Sequence, residues 1–203
     1  MGTGTYTTRR AIAIAAAIAL LFAGCGGSDD SNDLNTPESA VQRNIESAQA
    51  EVKAAPDKPE PQAALAKAYF QSAGVKTNDK GEYSDAGKDD LRRATKAWER
   101  YVSLDPDPLD TGVAQLIAAA YGPGSLDEPK QAVEVQQVLA ENISPPRASQ
   151  FTQLAQMAYS AGEVDIGDKA RKRALELLPK RARPATRKRL KQARDLAPAQ
   201  SQP

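Results

Sequence analysis

Residues 148–181 read ASQFTQLAQMAYSAGEVDIGDKARKRALELLPKR, and this stretch decides the fold. Phe151, Leu154, Ala155 and Ala158 recur three and four residues apart, the spacing of one face of an α-helix. Gly162 interrupts that helix, and Gly167 and Ala174 place small residues along a second one that runs to Pro179. Proline has no N–H to continue the helical ladder, so it closes the second helix. Small residues where two such helices cross let their axes approach closely. The stretch spells a helical hairpin.

The pattern recurs upstream. Leu65-Ala66 and Tyr69 are followed by Ala94, Trp98, Tyr101 and then Leu104-Asp105-Pro106. Ile117-Ala118 and Tyr121 are followed by Ala132, Val135 and Val138, up to Pro145. The opening helix ends in Ala54-Ala55-Pro56-Asp57-Lys58-Pro59-Glu60, as the second half of such a unit does. These offsets resemble the tetratricopeptide repeat (TPR), W-x2-L-G-x2-Y, then A-x3-F, then P, across residues 37–181. Departures are Ala158 and Arg171 where the repeat has aromatics, Gly167 where it has alanine, and an insertion of 16 residues within the first full unit. The resemblance implies an all-α, TPR-like α-solenoid of antiparallel helix pairs, because one hairpin cannot bury its apolar face alone. A generic helical bundle is the alternative for the same apolar residues.

The punctuation sets the expected boundaries. Thr36-Pro37-Glu38 reads as an N-cap with proline in the first turn, and Val41, Ile45, Ala48 and Val52 then share one face. Pro56, Pro59 and Pro61 are expected to break the chain before a helix from Gln62 to Ser72. Gly74 to Gly87 reads as a polar loop, and Lys88 to Leu104 as the next helix. Further helices are expected up to Tyr121, then over Glu128–Glu141, Arg147–Ala161 and Val164–Leu178. A last basic helix reaches about Ala197, so residues 182–203 form a basic C-terminal capping helix with a disordered end.

The N-terminus carries an address. Arg9 and Arg10 precede the apolar run from Ala11 to Ala23, 13 residues long. That suits the apolar region of an export signal and is too short to span a bilayer. Leu21-Phe22-Ala23-Gly24-Cys25 resembles a bacterial lipobox, with Phe22 in place of the usual leucine. The resemblance implies a lipoprotein signal peptide over residues 1–24, lipidation of Cys25, and export followed by lipid anchoring to the cell membrane. Residues 25–36, rich in Gly, Ser, Asp and Asn, then serve as a flexible tether. An ordinary cleaved signal or an uncleaved anchor is the alternative.

Composition narrows the chemistry. The 203 residues contain no histidine, which excludes a Ser-His-Asp triad, a Cys-His dyad and any His-ligated metal. One cysteine excludes an intrachain disulfide and a CxxC redox pair. The 37 alanines and 5% aromatic content favour closely packed helices. Asn78–Glu82 and Asp105–Asp110 are acidic loops without the full spacing of an EF-hand, so no metal and no cofactor is expected. No pair of carboxylates is placed across a cleft, and the protein reads as a non-enzyme.

Charge is segregated despite a net of +1. From Lys169 to Arg194, 12 basic residues stand against one acid, Glu176, leaving 15 basic and 25 acidic residues elsewhere. An exported protein meets little nucleic acid, so none is expected as a partner. Arg187, Lys188, Arg189, Lys191 and Arg194 are candidates for an anionic surface of lipid headgroups or cell-wall polymer. The plainer reading is a solvated cap whose Leu190, Ala193 and Ala197 close the core. In similar repeat proteins the first helix of each pair lines a concave groove. The resemblance maps that groove to Lys67, Phe70, Gln71, Gln115, Thr152, Gln156 and Tyr159, an amide and aromatic lining suited to an extended peptide. The expected function is non-catalytic protein–protein interaction or scaffolding at the cell envelope, with an envelope protein or peptide as partner. The alternative is an envelope-structural lipoprotein that holds lipid or polymer through its basic end.

Overall fold

The structure, a computed structural model, describes residues 36–198. Cys25, the expected signal peptide and almost all of the expected tether lie outside the described residues, as do residues 199–203. The described chain is all-α: α1 (Pro37–Ala54), α2 (Pro59–Val75), α3 (Asp85–Ser103), α4 (Thr111–Ala120), α5 (Pro129–Asn142), α6 (Ala148–Ser160), α7 (Val164–Leu177) and α8 (Arg183–Asp195). A 3-10 turn, Lys180–Ala182, leads into α8. No described helix is long and apolar enough to cross a membrane.

Local chemistry explains most of the boundaries. The Thr36 hydroxyl caps α1 by accepting from the Ser39 N–H at 3.2 Å, with Pro37 at the first helical position. Two expectations need correction here. Pro59 and Pro61 do not break the chain before α2 but stand in its first turn, where an N–H has no helical partner to lose. The polar loop is also shorter than expected, because α2 continues to Val75 and α3 begins at Asp85. Ser84 starts α3 by accepting from the Gly87 N–H at 3.2 Å. Gly87 therefore lies inside a helix, and its missing side chain has a reason: a Cβ there would stand 2.8 Å from the Lys76 carbonyl oxygen.

Each helix packs on its neighbours in sequence, and α2 also meets α4 while α6 also meets α8. Buried apolar residues follow the same order. One cluster runs from Ile45 of α1 through Trp98 and Tyr101 of α3 to Leu139 of α5. A second joins Val133 of α5 to Leu154, Ala155, Ala158 and Tyr159 of α6, Ala170 of α7 and Leu190 of α8. The alanines at the crossings, Ala66, Ala94, Ala155 and Ala174, are fully buried. Trp98 is 4% exposed, with the Tyr101 ring 5.3 Å from its own.

Polar groups lock the joints. Asp90, 1% exposed, accepts from the Ser72 hydroxyl at 2.6 Å and from Lys76 across the α2–α3 elbow. The Tyr101 hydroxyl accepts from the Asp110 N–H at 2.6 Å, tying α3 to the start of α4. Burial raises the Tyr101 pKa above its ordinary value, against the lowering effect of that backbone bond. Asp168 receives the Tyr159 hydroxyl at 2.8 Å and meets Arg171 at 3.2 Å and Arg194 at 3.1 Å, joining α6, α7 and α8.

Candidate functional site

The α4 and α6 helices do not touch: no Cα of one comes within 8 Å of a Cα of the other, although α2 meets α4 and α6 meets α8. A cleft of about 680 Å³ opens there, floored by α5. The sequence shapes each wall. Asp110 starts α4 by accepting from the Gly112 and Val113 N–H groups at 2.9 and 3.0 Å. Val113, Ala114, Ile117 and Ala120 bury one side of this helix, which leaves Gln115, Ala118 and Ala119 for the cleft. Gln153, Gln156, Met157 and Ser160 form the facing wall, spaced as one stripe of α6. The opposite side of α6, through Leu154, Ala155, Ala158 and Tyr159, is committed to the core.

The chemistry of this cleft is neutral. Three exposed glutamine amides, Gln115, Gln153 and Gln156, stand over alanine, proline and methionine, and no charged side chain among the described residues lines the cleft. Each amide offers donors and an acceptor, as a peptide backbone requires. Gln136, at the floor, is buried and already donates to the Gln150 side chain at 2.9 Å.

The structure brings together two of the seven groove residues expected from sequence, Gln115 and Gln156. Tyr159 is not a groove residue: it is completely buried, with its hydroxyl spent on Asp168, because it falls on the core stripe of α6. Its pKa is pushed up to about 12, first by burial and then by the hydrogen bond to Asp168. Thr152 is likewise buried, and its hydroxyl donates to the Ala148 carbonyl at 2.7 Å. Phe70 is half-buried against the core. Lys67 and Gln71 are exposed, and Lys67 lines a different hollow beside Tyr101 and Pro108. Gln153, Met157 and Ser160 also line this cleft, and their helical spacing from Gln156 marks the same stripe in the sequence.

The basic end divides in two. Arg187, Lys188 and Arg189 are exposed, whereas Lys191 pairs with Asp195 at 2.8 Å and Arg194 with Asp168. Arg183 is also occupied, donating to the Leu178 and Glu176 carbonyls at the end of α7. No cluster of metal-ligating side chains occurs among the described residues. Comparison of the chain with models of protein families, with curated proteins and with solved structures returns no match.

Proposed function

We propose that this chain is a TPR-like α-solenoid of antiparallel helix pairs that acts without catalysis, holding a partner polypeptide at the cell envelope while Cys25 carries the lipid anchor. The observation that carries this reading is the uncharged cleft between α4 and α6, faced by Gln115, Gln153 and Gln156. The order of helix packing and the serial core support a stacked arrangement. Amide side chains over an apolar floor suit an extended, uncharged segment whose backbone needs partners and whose side chains need cover.

The test places a photo-crosslinking side chain at Gln156 of the full-length protein in its native membrane. Capture of one polypeptide that is lost when Met157→Lys brings a charge into the cleft supports the reading. Equal capture from an exposed α1 position such as Glu46 overturns it. Replacement of Cys25 by serine should release the protein from the membrane, and retention of Cys25 as a free thiol in the native protein overturns the anchor.

A second reading rests on Arg187, Lys188 and Arg189, which are exposed on α8 and have no ion-pair partners among the described residues. Each basic group near an anionic surface contributes about 1 kcal/mol, so three give a weak, salt-sensitive attachment. Loss of vesicle binding on replacing all three with serine would favour it.

A further inference from the structure

We propose that a second cleft, bounded by α5, α6 and α7 and sharing no residue with the first, binds an amphiphilic anion: a carboxylate on an aliphatic chain. The reading goes beyond partner binding and does not depend on it.

Three observations carry it. First, α5 and α7 do not approach within 8 Å at any Cα, and the gap is a cavity of about 390 Å³, within the range that encloses a small molecule. Second, its floor is apolar. Phe151 and Ile166 are left half-buried there, above the buried Ala140 and Leu154. Third, charge lies unevenly around its rim. Lys169 and Arg173, one turn apart on α7, stand on one side, and Glu141 stands on α5. Lys169 has no ion-pair partner among the described residues, whereas Arg173 is shared between Glu176 at 3.2 Å and the Phe151 ring at 6.0 Å.

The asymmetry orients a ligand. An anionic head is repelled from Glu141 and drawn to Lys169, and its chain then lies over Phe151 and Ile166. A cationic amphiphile would meet two cations, Lys169 and Arg173, against the single carboxylate of Glu141. Chain length should matter, since each buried methylene strengthens binding roughly three- to fourfold.

Calorimetric titration of the full-length protein with octanoate, decanoate and decanol tests the assignment. Decanoate should bind at one saturable site, roughly tenfold tighter than octanoate or decanol. Lys169→Glu, at an exposed position, should weaken decanoate at least tenfold without changing the far-ultraviolet dichroism. Ile166→Asp should abolish binding of all three. Equal binding of decanoate and decanol, or decanoate binding that Lys169→Glu leaves unchanged, overturns the proposal. The second outcome would place the ligand outside this cleft. Failure of crosslinking at Gln156 would leave this result untouched, because the two clefts have separate walls.

Discussion

The ring of Tyr159 lies against the bare Cα of Gly167: a Cβ built on that glycine would stand 2.4 Å from Cε1 and 2.5 Å from Cδ1. The contact explains the glycine at position 167, where any side chain would meet the ring. The aromatic of α6 comes one residue later than the pattern places it, and α7 gives up its side chain to admit the ring. The hydroxyl beyond that ring then reaches Asp168, the carboxylate that also holds Arg171 and Arg194. One glycine thus positions the joint of three helices.

Gly167→Ala should therefore destabilise the protein. Helix propensity alone favours alanine by about 1 kcal/mol, but the clash is with a fully buried ring that has nowhere to swing. Overpacking of this kind costs about 1–3 kcal/mol, so the balance is a net loss. Thermal unfolding of the single variant and of Gly167→Ala combined with Tyr159→Leu gives the check. The double variant should lose less than the sum of the two single changes.

Alkaline pH should weaken the same joint. The Tyr159 phenol has its pKa pushed up to about 12, chiefly by burial and secondarily by the Asp168 hydrogen bond. Below the ordinary phenol value of 10 both folded and unfolded chains keep the proton, and the stability is fully present. Between about pH 10 and 12 the unfolded chain releases a proton that the folded chain retains, so stability falls as pH rises. The loss from this one group is about 1–3 kcal/mol. Tyr159→Phe should flatten that part of a urea-denaturation series, while Tyr101 and Tyr121, both raised by burial, keep a smaller slope. An unchanged slope would show that Tyr159 ionises freely.

At the α2–α3 elbow the two members of an ion pair should not cost the same. Asp90 is 2% exposed at its side chain, whereas Lys76 is 38% exposed. Asp90→Asn lets Lys76 turn to water and retains a polar partner for the Ser72 hydroxyl, at about 1–2 kcal/mol. Lys76→Met strands a buried carboxylate with Ser72 and the more distant Arg93 at 3.3 Å, at about 2–4 kcal/mol. The double variant should recover most of the second loss. Equal single costs in chemical denaturation would mean that the carboxylate is hydrated.

Helix positions were legible in the sequence because apolar period and end signals agree. Thr36-Pro37 opened α1 as expected, and the Trp98 and Tyr101 face is buried. The failures came from residues whose usual meaning was overridden by position or contact. Pro59 and Pro61 read as breakers but occupy a first turn, and Gly87 read as loop but meets a carbonyl. The candidate site was legible only at Gln115 and Gln156, for a related reason. A pattern of small and large residues tells which stripe of a helix crosses its neighbour. It does not tell where two helices stand apart, and the α4–α6 gap depends on that separation. Tyr159 reads as a groove residue because an aromatic on the stripe beside the core can turn either way, and only the empty position at Gly167 decides it.

The α8 helix separates a structural face from a solvated one, and its two faces should respond oppositely to substitution. Leu190 is completely buried in the second core cluster, with Ala193 and Ala197 packed against the same group. Truncation to alanine removes that apolar contact and leaves a void at the end of the core, at about 2–4 kcal/mol. Arg187, Lys188 and Arg189 lie exposed with no ion-pair partners among the described residues, so serine at all three should change stability by less than about 0.5 kcal/mol per site. Removal of three positive charges would nonetheless alter binding to anionic vesicles if the second functional reading holds. Urea denaturation of Leu190→Ala beside the triple serine variant measures the division. A large loss in the triple variant, or none at Leu190, would mean that α8 does not close the core.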